Sequence, residues 1–77
     1  MSIKVRYFAS LKEQVGRSED ELQATAPLSV LEIWQQLNPD LARPETMLAA
    51  INMEYVPLDV LVQEGDELAF FPPVTGG

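Results

Sequence analysis

The chain has no cysteine and no histidine. Without cysteine there is no disulfide, no thiolate metal site, no thiolate nucleophile and no side-chain persulfide. Without histidine, the side chain that most readily exchanges a proton near neutral pH is missing. The serines at 2, 10, 18 and 29 have no base to activate them, and two of them read as helix caps. Catalysis by this chain alone is therefore not expected. Basic residues stop early. Residues 1–43 carry all five Lys and Arg with six acids, whereas residues 44–77 carry six acids (Glu45, Glu54, Asp59, Glu64, Asp66, Glu67) and no base. With a net charge of −7, nucleic acid and anionic membrane are poor partners. A basic protein surface is a better one, and plain solubility is served equally well. No apolar run approaches the ~20 residues that cross a bilayer. Met1 leads straight into a strand pattern rather than a signal peptide, so a cytoplasmic protein is expected.

What is present suffices for one domain. Of 77 residues, 47% are hydrophobic, and a chain this short buries only ~60–65% of its unfolded surface. Ile3 to Ala9 alternates, with Ile3, Val5 and Tyr7 on one face and Lys4, Arg6 and Phe8 on the other, which predicts a half-buried strand. Ser10 and Glu13 read as a capping box opening a short helix over about 10–16, with Gly16 suited to its left-handed end. Arg17 to Asp20 reads as a turn, and Glu21 to Thr25 as a weak second strand. Ser29 and Glu32 form another capping box. Val30, Ile33, Trp34 and Leu37 follow at helical spacing until Pro39 stops the helix near Asn38. Trp34 is expected to anchor the core.

Residues 38–46 form a loop. Met47 to Ile51 is an unbroken apolar strand, expected to be buried on both faces. Asn52 turns the chain into a short strand at Tyr55 and Val56, which Pro57 ends at an edge. Leu58, Val60 and Leu61 are expected to contact the core. The last strand is Glu67 to Phe71, with Leu68 and Phe70 facing one way. Glu64, Asp66 and Glu67 flank a hairpin turn without the ligand spacing of a calcium loop, so no metal is expected.

The final stretch, Phe70-Phe71-Pro72-Pro73-Val74-Thr75-Gly76-Gly77, stands apart. Pro72 and Pro73 cannot donate to a sheet and hold the chain extended. Val74 and Thr75 favour the same shape. Six residues beyond the strand reach roughly 20 Å. A frayed chain end and a stiff stalk carrying a bare carboxylate are both open from the residues alone. On the second reading residues 1–71 are the folded domain and residues 72–77 its extended tail. Phe8 and Phe71, on the charged face near that tail, form a patch that asks for a partner. Tyr55 joins them if it faces the same way.

The run Gly65-Asp-Glu-Leu-Ala-Phe-Phe-Pro-Pro-Val-Thr-Gly-Gly77 resembles the C-terminal signature of the molybdopterin synthase small subunits, a family of ubiquitin-related sulfur carriers. The stretches from Ile3 to Ala9 and from Ala50 to Asn52, and the length, agree with it. The resemblance covers the whole chain and implies an α+β, ubiquitin-like β-grasp fold. That fold has a mixed sheet of about five strands, one main helix packed across it, a short helix after the first strand, and first and last strands parallel at the centre. It also implies that an ATP-dependent adenylyltransferase activates Gly77 and that the terminus becomes a thiocarboxylate. Pro72, Pro73, Val74, Thr75 and Gly76 would then enter the large subunit, which supplies the catalytic groups in a heterotetramer. Sulfur would pass to a cyclic pyranopterin precursor to build the molybdopterin dithiolene. Phe8, Tyr55 and Phe71 would be apolar contacts to that partner. No cofactor is expected on this chain; ATP belongs to the activating enzyme. A carrier for a thiamin-type pathway and a ubiquitin-like protein modifier would use the same terminus, although the Phe-Phe-Pro-Pro-Val-Thr stretch argues against the thiamin type.

Overall fold

The computed structural model describes residues 2–73. Strand β1 (Ser2–Tyr7) is followed by helix α1 (Ala9–Val15), β2 (Glu19–Gln23), β3 (Leu28–Ser29) and helix α2 (Val30–Leu37). Then come β4 (Leu48–Ile51), β5 (Glu54–Val56), β6 (Leu61–Val62) and β7 (Glu67–Phe71). Five strands form one mixed sheet in the order β2-β1-β7-β4-β5, and β3 pairs with β6 separately. The first and last strands, β1 and β7, are parallel neighbours, whereas β2, β4 and β5 join antiparallel. This is the expected β-grasp arrangement.

The period-2 pattern of β1 and β7 puts Ile3, Val5, Tyr7, Leu68 and Phe70 on one face, all buried. There α2 lays down Val30, Ile33 and Trp34. Trp34 meets Phe70 edge-on with ring centroids 5.2 Å apart and Tyr7 at 6.2 Å, and Tyr7 stacks on Phe70 at 6.0 Å. The helix begins as its residues dictate: the Ser29 hydroxyl accepts from the Glu32 N–H, and the Glu32 carboxylate accepts from the Ser29 N–H. Those bonds hold the Glu32 carboxyl below its usual range. It ends at Asn38, whose N–H donates to the Trp34 carbonyl.

Asn38 is buried, and its side chain closes a polar network. Its amide donates to the Tyr7 hydroxyl (3.2 Å), which donates to Asp20 Oδ2 (3.0 Å). Arg17 donates to Asp20 (2.7 Å) and to Asn38 Oδ1 (2.9 Å). Burial pushes the Tyr7 phenol up, so it keeps the proton that Asp20 accepts.

Four expectations are corrected. The Ser10–Glu13 capping box is absent: α1 starts at Ala9, with Phe8 as N-cap and no side-chain cap bond. The cause lies in the sheet. The Phe8 N–H is held by the Phe70 carbonyl at 3.0 Å, so the chain turns immediately afterwards, with Ala9 at φ +54°, and the Phe8 carbonyl receives the first helical N–H groups. Gly16 does end the helix, at φ +83°.

Second, β2 begins at Glu19, not Glu21, because Asp20 faces inward to Tyr7 and is not part of a turn. Third, Leu61 is exposed, since β6 pairs with β3 and sends Val62 into the core; Leu58 packs partly buried beside it. Fourth, β4 is buried on both faces only at its centre. Ala49 and Ala50 are covered, but Leu48 is 37% exposed. The outer side of the sheet has no second main helix to cover it.

Candidate functional site

The site is the place where the last strand releases the tail. β7 is held on both sides: by β1 through Tyr7↔Phe70, and by β4 through Leu48↔Phe71. The Phe8 N–H extends the first ladder by one further bond to the Phe70 carbonyl. Pro72 and Pro73 follow, and neither can donate to a neighbouring strand. The root is therefore a strand fixed through its final residue, with no ladder at Pro72 or Pro73. Val74, Thr75, Gly76 and Gly77 lie outside the described residues.

Strand alternation then decides what surrounds that root. Cross-strand partners share a face, so the register puts Phe71 with Leu48, Ala69 with Ala50, and Ala50 with Tyr55 on the outer side, away from α2. Tyr55 is 71% exposed, and its ring lies 5.5 Å from that of Phe71. Phe8, 45% exposed, leaves β1 at the same end of the sheet. The expected trio of Phe8, Tyr55 and Phe71 thus falls on one face, and Leu48 belongs with it. Leu48 was hidden in the run Met47 to Ile51, which reads as a buried strand. The clue was the single main helix, which can cover only one side of a sheet.

The other half of the same face is ionic. Lys4 and Arg6 on β1 stand between Glu21 and Glu19 on β2 and Glu67 on β7. Arg6 approaches Glu67 at 3.7 Å, half exposed, an arrangement worth no more than about 1 kcal/mol. These charges largely compensate one another, whereas the apolar half has no such internal partner. Of the carboxylates at the hairpin turn, Asp66 is already occupied: it accepts from the Asn52 side chain and the Gln63 N–H. Among the described residues no three His, Cys, Asp or Glu side chains converge as a metal site would require, and no helix is long and apolar enough to cross a membrane.

Replacing Phe71 by Ala should leave the domain folded, because the ring packs on the outer face and not in the core. Affinity for a partner docking on that face should fall, by about tenfold or more if the ring is an anchor. Circular dichroism and titration calorimetry read the two effects separately. Cooperative unfolding lost at 25 °C would instead make Phe71 a core residue.

A β-grasp domain of ubiquitin type, with its last strand delivering a proline-led tail beside an apolar sheet face, is the class defined by this geometry. The ThiS family model matches residues 5–77. The molybdopterin synthase sulfur carrier subunit of Escherichia coli (strain K12) is 40% identical over 81 residues, covering 97% of this chain and 99% of that protein. The subunit of the same name from Homo sapiens is 30% identical, with 97% and 93% covered. Among solved structures, SAMP1 from Haloferax volcanii superposes with a TM-score of 0.77 at 27% identity over the full length of both chains. The chain belongs to the ThiS family of ubiquitin-like sulfur carriers, alongside the molybdopterin synthase sulfur carrier subunits.

Proposed function

We propose that this chain is the sulfur carrier subunit of a molybdopterin synthase. The observation that carries the reading is the 40% identity to the Escherichia coli subunit of that name, which spans nearly the whole of both chains. The chemistry falls to the terminal carboxylate of Gly77, because the sequence holds no cysteine to bear sulfur. A free carboxylate is a poor acyl donor. An ATP-dependent adenylyltransferase joins it to AMP, releasing pyrophosphate, and a sulfur nucleophile then displaces AMP to leave a thiocarboxylate. Gly76 and Gly77 lack Cβ atoms, so the backbone threads a narrow slot and its carbonyl is approached from either side.

The tail from Pro72 to Gly76 enters the large subunit, which contributes the catalytic groups that this chain lacks, and sulfur passes to the cyclic pyranopterin precursor. Two large and two small subunits form a heterotetramer. The apolar face of Phe8, Leu48, Tyr55 and Phe71 is the surface that docks, beside the tail that inserts. ATP is used by the activating enzyme and not bound by this chain. The reaction is set in the cytoplasm.

A second reading has an observation behind it: the likeness to SAMP1, which belongs to the small archaeal modifier proteins. A modifier would join Gly77 to a lysine of a target protein. Intact-mass spectrometry of the protein isolated from cells separates the two. One terminal oxygen replaced by sulfur is expected. A population found only as isopeptide adducts would favour the modifier and overturn the carrier.

A further inference from the structure

The outer sheet face ends at two edge strands, and they are not alike. Strand β2 carries Glu19, Asp20 and Glu21 in succession, and charge of this kind keeps a foreign strand from pairing. Strand β5 carries Glu54, Tyr55 and Val56, so its centre is an exposed aromatic.

The direction of the β5 backbone groups follows from a bond one strand away. The Asn52 N–H donates to the Glu67 carbonyl at 2.9 Å. Bonded and non-bonded pairs alternate along an antiparallel ladder. In the β4–β7 ladder, therefore, Ala50↔Ala69 is a bonded pair, and the backbone groups of Ala49 and Ile51 point the other way, to β5. There Ala49↔Val56 and Ile51↔Glu54 are the bonded pairs, and Ala50↔Tyr55 is not. The two-residue turn between them, Asn52 and Met53 at φ +51° and +71°, agrees, because such a hairpin closes on a bonded pair. Tyr55 consequently turns both its N–H and its carbonyl away from the sheet. No turn, loop or side-chain hydrogen bond among the described residues reaches either group.

We infer that β5 is a strand-addition site, at which an extended segment of the partner protein pairs with the Tyr55 backbone and continues the sheet. The site adjoins the apolar face: Tyr55 lines both, with its ring beside Phe71 and its backbone on the edge. Charge selects the occupant. Glu54 precedes Tyr55, Asp59 lies shortly beyond the strand, and no base occurs after Arg43. A partner strand bearing Lys or Arg on either side of an apolar residue fits this edge. A second copy does not, since each would bring the same acids and a net charge of −7. The inference rests on the carrier reading, whose large subunit supplies the strand.

Amide hydrogen exchange, followed by NMR on the full chain with and without the molybdopterin synthase large subunit, tests it. In the free protein the Tyr55 amide should exchange freely while that of Ile51 is protected. Saturating large subunit should slow Tyr55 by about a hundredfold or more. A complex that forms while Tyr55 stays fast would overturn strand addition and leave the carrier reading intact. Absence of any complex would overturn both. Protection in the concentrated chain alone would give the edge to a second copy. Tyr55→Pro and Tyr55→Ala provide an independent comparison. Both lose the ring, but only proline loses the donor, at an edge position where it breaks no ladder bond. The proline variant should bind the large subunit about tenfold more weakly than the alanine variant; equal affinities would overturn the inference.

Discussion

Deleting Gly77, or adding one residue after it, is expected to abolish sulfur transfer and to leave the unfolding temperature unchanged. The two outcomes are separable because Gly77 has no side chain to bury, and the core among the described residues runs from Ile3 to Phe70. Shifting the terminus by one residue moves the acyl carbon by ~3.3–3.6 Å. A displacement of even 1 Å at a reacting centre can cost about a hundredfold. A terminal side chain would also obstruct the slot that a glycine passes. Single-turnover sulfur transfer beside differential scanning calorimetry reads both quantities. An extended chain that still delivered sulfur at the parent rate would mean that the reactive group is not the terminal carboxylate.

Replacing Trp34 by Ala should have the largest effect on stability. Trp34 is 1% exposed and sits where Tyr7 and Phe70 converge. Emptying a site of that size costs about 3–5 kcal/mol. A domain of this length holds roughly 4–12 kcal/mol in total, and each kcal/mol corresponds to about 4–8 °C. The midpoint should therefore fall by more than about 12 °C. Trp34→Phe should cost much less. It keeps an aromatic ring against Phe70 and removes the indole N–H, which has no hydrogen-bond partner among the described residues. Equal losses from the two substitutions would show that ring size does not set the stability of this core.

The parts of the fold legible in the sequence were those with one dominant local cause. The alternation of β1 and β7 and the Ser29–Glu32 box before α2 specify their elements without help from elsewhere. Ser10 and Glu13 satisfy the same box pattern as Ser29 and Glu32, yet the box fails to form, because a sheet bond fixes Phe8 and moves the helix start forward. Asp20 reads as a turn residue until Tyr7, thirteen positions earlier, is known to donate to it. Of the site, Phe8 and Phe71 were visible by alternation alone. Leu48 was not, since an apolar run carries no sign of which face stays open. The free backbone pair at Tyr55 was further out of reach, because it depends on the phase of two ladders at once.

Parallel pairing of β1 with β7 joins Lys4 to Glu67 and Tyr7 to Phe70, so the first strand cannot find its central neighbour until residues 67–71 have been made. A nascent fragment that stops short of β7 would lack the middle of its sheet. Non-local closure of this kind slows folding. It also means that a chain without β7 has no ordered base from which Pro72 and Pro73 could leave the sheet.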